Sequence, residues 1–329
     1  MKTLDDRDID GALLAVLYGQ LDQVELQVRG EPGVGWDERV HRVRTGLKAS
    51  RATLRLLRDG VGTRAWREAN AALRDAGRAF SDLRDWDVIL LVARELSRQR
   101  RLAPALHEFE QTALECQRRS LDHIQSSDAV ERALSLIGTA RNRVGLEEVR
   151  GGWDGAWHGV HRAYTLGRRA WTDGGSAPDV DHLHELRKRS KDLRAQFQLF
   201  RAFAPRWPAR PEAQLEPLVD RLGDERDLDL FGLAVRRAAL PELGRVGPVL
   251  EYVDATRRRM LCEVKSLVTK LYGEDPRTFV ERTRSDFEGT LAGRGWFVRR
   301  FAVMTAVTAL ATAAVLCLAG QAAPAGQTP

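Results

Sequence analysis

The 329-residue chain is predicted to be all-α: two antiparallel four-helix bundles related by an internal pseudo-twofold duplication, plus a C-terminal hydrophobic helix. Three observations carry this. Apolar residues recur three and four apart along nearly the whole chain, with no alternating β-branched run and no strand followed by a glycine loop and a helix. One motif is written twice: His41, Arg44, Lys48, Arg51 and Arg55 precede Arg84, Asp85 and Asp87, and His184, Arg187, Lys191 and Arg194 precede Arg226, Asp227 and Asp229. Asp85 follows His41 by 44 positions and Asp227 follows His184 by 43, so a short and a long spacing stay in step, as in a duplication. Finally, Phe301 to Gly320 is a run of twenty residues without a charge.

Element by element, Ile9 to Arg29 reads as a first amphipathic helix, closed by the turn-rich stretch Gly30 to Gly35. Asp37 is a candidate cap for a long basic helix reaching about Asp59, where Gly60 and Gly62 end it. Helices follow over Arg64 to Phe80, Arg84 to Arg101, and Pro104 through Cys116 to His123. Asp128, three residues before Glu131, has the spacing of a capping box for Ala129 to Arg143. Four glycines between Gly145 and Gly155 mark the boundary, giving bundles over 1–145 and 146–293. Beyond it come Trp157 to Trp171, a loop at Thr172 to Asp179, and the second basic helix from Val180 to Phe203, stopped by Pro205 and Pro208. Pro211 to Leu222, Asp227 to Ala239, Gly247 to Leu271 and Pro276 to Leu291 complete the helices. Residues 296–320 then form the expected tail helix, with 321–329 a short end.

That tail is long enough to span a bilayer core of about 30 Å at about 1.5 Å per residue. Arg294, Arg299 and Arg300 precede it, which by the positive-inside tendency leaves the large helical part on the cytoplasmic side. Met1 to Asp10 is acid-rich and lacks an apolar core, so no secretory leader is expected there. Cys116, Cys262 and Cys317 form neither a disulfide framework nor a metal spacing. His158 and His161 share a helix face without companion ligands and read as surface or core residues. The tryptophans, Trp36, Trp66, Trp86 and Trp153 among them, read as core and loop anchors. Arg257, Arg258 and Arg259 read as a solvated helix face.

The net charge is +6, and 46 arginines stand against 6 lysines. Guanidinium presents a planar fork that meets phosphate or carboxylate oxygens in pairs. On a helix, positions i, i+3, i+7, i+10 and i+14 fall within an arc of about 80°. His41, Arg44, Lys48, Arg51 and Arg55 therefore form one stripe, and His184, Arg187, Lys191 and Arg194 a second, with Arg201 in line beyond it. Like charges so placed destabilise an isolated helix by a few tenths of a kcal/mol per pair, so something anionic is expected opposite them. Asp85, Asp87, Asp227 and Asp229 are the internal candidates, but the stripes outnumber them about two to one. A linear polyanion suits the remainder.

The motif H-x-x-R-x-x-x-K-x-x-R in both halves, with R-D-x-D downstream, resembles the CHAD family (conserved-histidine α-helical domain) over about residues 8 to 290. Leu183 to Arg194 (LHELRKRSKDLR) carries the resemblance best, with Arg162, Tyr164, Arg168 and Arg169 on the preceding helix. The resemblance implies a two-bundle helical fold whose basic central cleft binds inorganic polyphosphate, and association with polyphosphate granules. The matching positions are His41, Arg44, Lys48, Arg51, His184, Arg187, Lys191 and Arg194. Ala49 and Asp192 depart from it, since a second basic residue often follows the lysine. Gly46 lies inside the first basic helix, where glycine costs about 1 kcal/mol relative to alanine. The acidic E-x-E-x-K signature of the triphosphatase domain that often accompanies the family is absent from the sequence.

The expected function is non-enzymatic polyphosphate binding, tethered to a membrane through the tail, with no cofactor and no metal. Nucleic-acid binding is a second reading, disfavoured because the stripes lack interleaved aromatics for base stacking. A Mg²⁺-dependent polyphosphate-processing enzyme is a third, for which Asp85, Asp87, Asp227 and Asp229 are the only clustered carboxylates suited to it.

Overall fold

The structure, a computed structural model, describes residues 6–175, 178–207, 210–238 and 243–292. Within them there are twelve helices and no strand. The first half contributes α1 (Asp6–Arg29), α2 (Trp36–Leu56), the single turn α3 (Arg58–Val61), α4 (Thr63–Arg78), α5 (Ser81–Ser97), α6 (Ala103–Ser126) and α7 (Ala129–Gly145). The second contributes α8 (Gly152–Asp173), α9 (Val180–Phe203), α10 (Arg210–Ala238), α11 (Leu243–Tyr272) and α12 (Pro276–Ala292). The apolar run Phe301 to Gly320 lies outside the described residues, as do Arg294, Arg299 and Arg300. No described helix is long and apolar enough to cross a membrane.

Pairings repeat between the halves. α1 lies on α2 as α8 lies on α9; α5 pairs with α6 as α10 pairs with α11; α1 touches α7 as α8 touches α12. Equivalent helices also meet each other, α2 against α9 and α5 against α10. That is the arrangement a duplicated unit adopts about a twofold axis. The two halves share their interiors. One core runs through both, from Ile9, Leu13 and Leu17 on α1 to Phe200 on α9 and Phe287 on α12. The other joins Ile89 and Leu90 of α5 with Phe231 and Val235 of α10 and Val249 and Val253 of α11. Aliphatic side chains fill α1 and α2, whereas the second half packs rings. Trp157 stands edge-on to Phe200 at 4.7 Å and Tyr164 stacks on Phe279 at 3.9 Å.

Four local readings are corrected. α2 ends at Leu56, and α3 forms a separate turn before Gly62, whose φ of 87° closes it. Asp37 lies inside the first turn of α2, where its charge complements the helix dipole; the extended Gly35 is the N-cap. Asp128 makes no capping bond from its side chain. Ser127 Oγ accepts from Ala129 N at 3.3 Å instead, and Asp128 pairs with Arg132 at 3.1 Å. The predicted pair Pro211 to Leu222 and Asp227 to Ala239 is one helix, α10, running on through Gly223. Its counterpart in the first half is broken between α4 and α5 at Ala79 and Phe80.

A candidate anion groove between the repeated basic helices

Because α2 packs on α9, the two stripes meet where Arg44 and Lys48 face Arg187 and Lys191. Lys48 and Lys191, equivalent residues of the two repeats, face each other: of the charges around Lys48, that of Lys191 weighs most on it. Arg44 and Arg187 stand one turn away on their own helices and also act on Lys48. Lys48 is exposed to solvent, yet protein surrounds it closely enough to push its ammonium well below the usual lysine range. Lys48 is thus reachable from solvent yet set among neighbouring cations. Lys191 is covered more fully; burial foremost, and then Arg187, bring it down to about 7.

These four cations lack direct counter-charge. None of Arg44, Lys48, Arg187 and Lys191 has a carboxylate within 4.0 Å among the described residues. Among the described residues Arg44 donates to the Gly77 carbonyl alone, at 3.1 Å. The Nε atoms of Arg44 and Arg187, equivalent positions again, both lack an acceptor among the described residues. Buried polar atoms are normally bonded, so the same shortfall in both copies is informative. Asp85 and Asp227 face this cluster at longer range, and burial raises both carboxyls.

The R-D-x-D segments cross over. The charge of Arg226, in the second half, acts on Asp85, His184 and Arg187, and that of Arg84, in the first, acts on Asp227, Arg44 and Lys48. Sequence reasoning placed both arginines in the repeated motif but did not count them among the groove cations. Their twin positions beside Asp85 and Asp227 were the available signal. Asp87 and Asp229 are engaged elsewhere. Gln117 donates to Asp87 at 2.7 Å, and Asp229 pairs with Arg226 at 2.7 Å and Arg257 at 3.0 Å.

The other predicted residues divide. His41 and His184 lie near the starts of α2 and α9, and His184 is exposed with its imidazole shifted down, first by burial and then by Arg226. Arg51 donates to the Asn70 carbonyl oxygen at 3.0 Å. Arg55 is bound to Asp192 at 2.9 Å, across the halves, and Arg189 reaches the same carboxylate at 3.6 Å. Arg194 is buried, with Asp220 3.7 Å away, and Arg201 leaves the stripe to pair with Glu212 at 3.0 Å. On α8, Arg162 binds Asp59 at 2.8 Å, and Tyr164 donates to the Leu271 carbonyl at 2.8 Å. Both act as staples in the fold. Arg257 corrects the solvated-face reading: Glu225 holds it at 2.6 Å, beside Asp229, while Arg258 and Arg259 are exposed. Among the described residues no group of three or more His, Cys, Asp or Glu side chains is placed to hold a metal ion.

Comparison with known proteins agrees with the duplication. A family model described as "CHAD domain" matches residues 15–205 and again 168–306. The two matches overlap across the second basic helix. A search of curated proteins gives no match. The crystal structure of the CHAD domain from the plant Ricinus communis is similar to this chain with a TM-score of 0.53 and 16% identity, over 85% of this chain and 91% of that one. At that identity the likeness concerns the fold. With both repeats inside the matched stretches, the chain belongs to the CHAD family.

Proposed function

We propose that the chain binds inorganic polyphosphate, without turning it over, in the groove between α2 and α9. The observation that carries this reading is the meeting of Arg44, Lys48, Arg187 and Lys191 with no carboxylate within 4.0 Å among the described residues. Arg84 and Arg226 add charge from α5 and α10, while His41, His184, Arg51 and Arg194 flank the centre. Cations one turn apart, about 5.4 Å along a helix, suit an anion that repeats its charge every few ångströms. Bidentate guanidinium contacts supply both strength and orientation. The stripes offer no aromatic platform, which favours polyphosphate over nucleic acid.

The reading includes a tether, with residues 296–320 holding the chain at the cytoplasmic face of a membrane, at or near polyphosphate granules. Its support is the uncharged run Phe301 to Gly320 behind three arginines.

Titration with polyphosphates of graded length, at two salt concentrations, tests the binding. Affinity should grow with length and fall about three decades per decade of salt if four phosphates are neutralised. Displacement by duplex or single-stranded nucleic acid at equal phosphate concentration would transfer the reading to nucleic acid. Phosphate release in the presence of Mg²⁺, lost in Asp227→Ala, would replace binding with hydrolysis. Deleting residues 301–329 should turn a membrane-sedimenting chain into a soluble one; a full chain that is already soluble removes the tether.

A further inference from the structure

Guanidinium stays charged at any physiological pH, so the arginines of the groove are fixed charges. Lys48 and Lys191 differ. They are amines, they sit at equivalent places in the two repeats, and α2 and α9 bring them together where neither has a carboxylate within 4.0 Å among the described residues. Their surroundings are cationic from several elements. Arg44 on α2, Arg187 on α9 and Arg84 on α5 act on Lys48, opposed by Asp85 on α5 and Asp227 on α10; Arg187 and Arg194 on α9 act on Lys191, opposed by Asp227 and Asp220 on α10. Two neighbouring amines among fixed cations lower their mutual repulsion when one gives up a proton.

We propose that Lys48 and Lys191 form a proton-accepting pair at the centre of the groove, loaded with protons by an incoming polyanion, so that polyanion binding weakens as pH rises above neutrality. The idea rests on the polyphosphate reading above and adds a regulation to that site. Burial and Arg187 bring Lys191 down to about 7, and Lys48 is also pushed well below its ordinary range. A phosphate placed between the amines reverses the local field and restores both ammonium groups. Binding is then accompanied by proton uptake, and by linkage each proton taken up lowers the affinity about tenfold per pH unit. Phosphate chain ends also titrate near neutrality, so long chains and matched variants are needed to isolate the lysines.

Calorimetric titration of the full chain with long-chain polyphosphate at pH 8, in two buffers of different ionisation enthalpy, counts the protons. Uptake of about one proton per binding site is expected, with affinity falling about tenfold between pH 7.5 and 8.5. Lys191→Arg and Lys48→Arg keep the cation and remove the titration. Each should reduce the uptake, and the double variant should bind with nearly constant affinity across that range. Circular dichroism on the same samples confirms that the variants are folded, and the wild-type proton count does not depend on them. Tight binding by the wild type with no proton uptake overturns this inference and leaves the polyphosphate reading intact. Uptake unchanged in the double variant does the same. Failure of the folded wild type to bind polyphosphate at any pH sinks both.

Discussion

Along α2, the two ends of its contact with α9 are both basic and carry opposite electrostatics, although on α9 the residues involved share the same turns. At one end Arg44, Lys48, Arg187 and Lys191 meet with no carboxylate within 4.0 Å among the described residues. At the other, Arg55 and Arg189 close on Asp192 at 2.9 and 3.6 Å, and Glu185 binds Lys188 at 2.9 Å. A full charge pair at about 4 Å is worth about 4 kcal/mol at an effective dielectric of about 20. One carboxylate therefore decides whether a stretch of basic helix stands ready for a ligand or is already internally satisfied. Asp192 occupies the place where the family often has a second cation, and it shortens the open part of the groove from one side. Cation periodicity locates the stripe; the placement of acids locates the site.

Reversing charge at the open end should have the largest effect. Arg44→Glu with Arg187→Glu removes two charge-assisted contacts, each worth about 1.5–3 kcal/mol, and adds repulsion. Polyphosphate affinity at low salt should fall by about a thousandfold or more in a binding titration. Arg258→Glu with Arg259→Glu, on the exposed face of α11, should change it less than about fivefold, since solvated charges contribute little. Equal losses in the two pairs would mean that the ends of the groove do not differ as sites and that attraction is spread over the surface.

Opening the closed end comes next. Asp192→Ala leaves the half-buried Arg55 without its carboxylate, while Arg189 keeps Glu185, and breaking such a pair costs about 3–5 kcal/mol. The variant should melt well below the wild type. Polyphosphate should restore more stability to it than to the wild type, because the freed cations lengthen the anion-binding stretch. Equal restoration would show that the groove does not extend past Lys191.

How far this was legible from the sequence differs between these regions. The stripes, both histidines and both R-D-x-D segments could be read from spacing, because a helical period turns sequence intervals directly into a face. α9 was read to its ends, Val180 and Phe203. The division into open and closed ends was not legible, since it depends on Asp192 meeting Arg55 across 137 positions. The same holds for Arg257, whose partners Glu225 and Asp229 are on another helix. Capping failed for a local reason: Asp37 and Asp128 have the right chemistry, but α2 begins before Asp37, and Ser127 meets the backbone of α7 in place of Asp128. Joining the two expected segments into α10 depends on α5, α9 and α11 packing along it, which no local signal near Gly223 announces.

Gly46 shows the same limit in reverse. By propensity it weakens the first basic helix, so Gly46→Ala should stabilise by about 1 kcal/mol. In the structure a Cβ at that position would stand 2.5 Å from Val24 Cγ2, because α1 crosses α2 there. Overpacking a fitted crossing costs about 1–3 kcal/mol. Gly46→Ala is therefore expected to lower the melting temperature, and Gly46→Ala with Val24→Ala to recover part of the loss. A melting temperature raised by Gly46→Ala alone would mean that the crossing is loose and that the first stripe is not held rigidly against its partner.

Lys191 gives the smallest expected effect, and the one that best separates fold from function. Its folded titration point is about 7, below the ordinary lysine value of 10.5, so between these values the unfolded chain holds the extra proton. Stability contributed through Lys191 must then rise as pH increases from about 7 to about 10.5, and flatten on either side. Below 7 both states are protonated and the burial cost is fully present. Lys191→Met removes that cost. Exchanging a poorly compensated buried charge for an apolar side chain of similar volume is commonly neutral or stabilising, here by about 1 kcal/mol. Thermal melts without polyanion should show Lys191→Met at or slightly above the wild type at pH 7, with a flatter rise toward pH 10. The same variant should bind polyphosphate about tenfold more weakly at pH 7, the loss of one charge-assisted contact. Less stability together with unchanged binding would make Lys191 a structural cation like Arg55 and extend the closed region to the centre of the groove. A more stable protein that binds less well would mean that the open end is kept for its ligand at the expense of the fold.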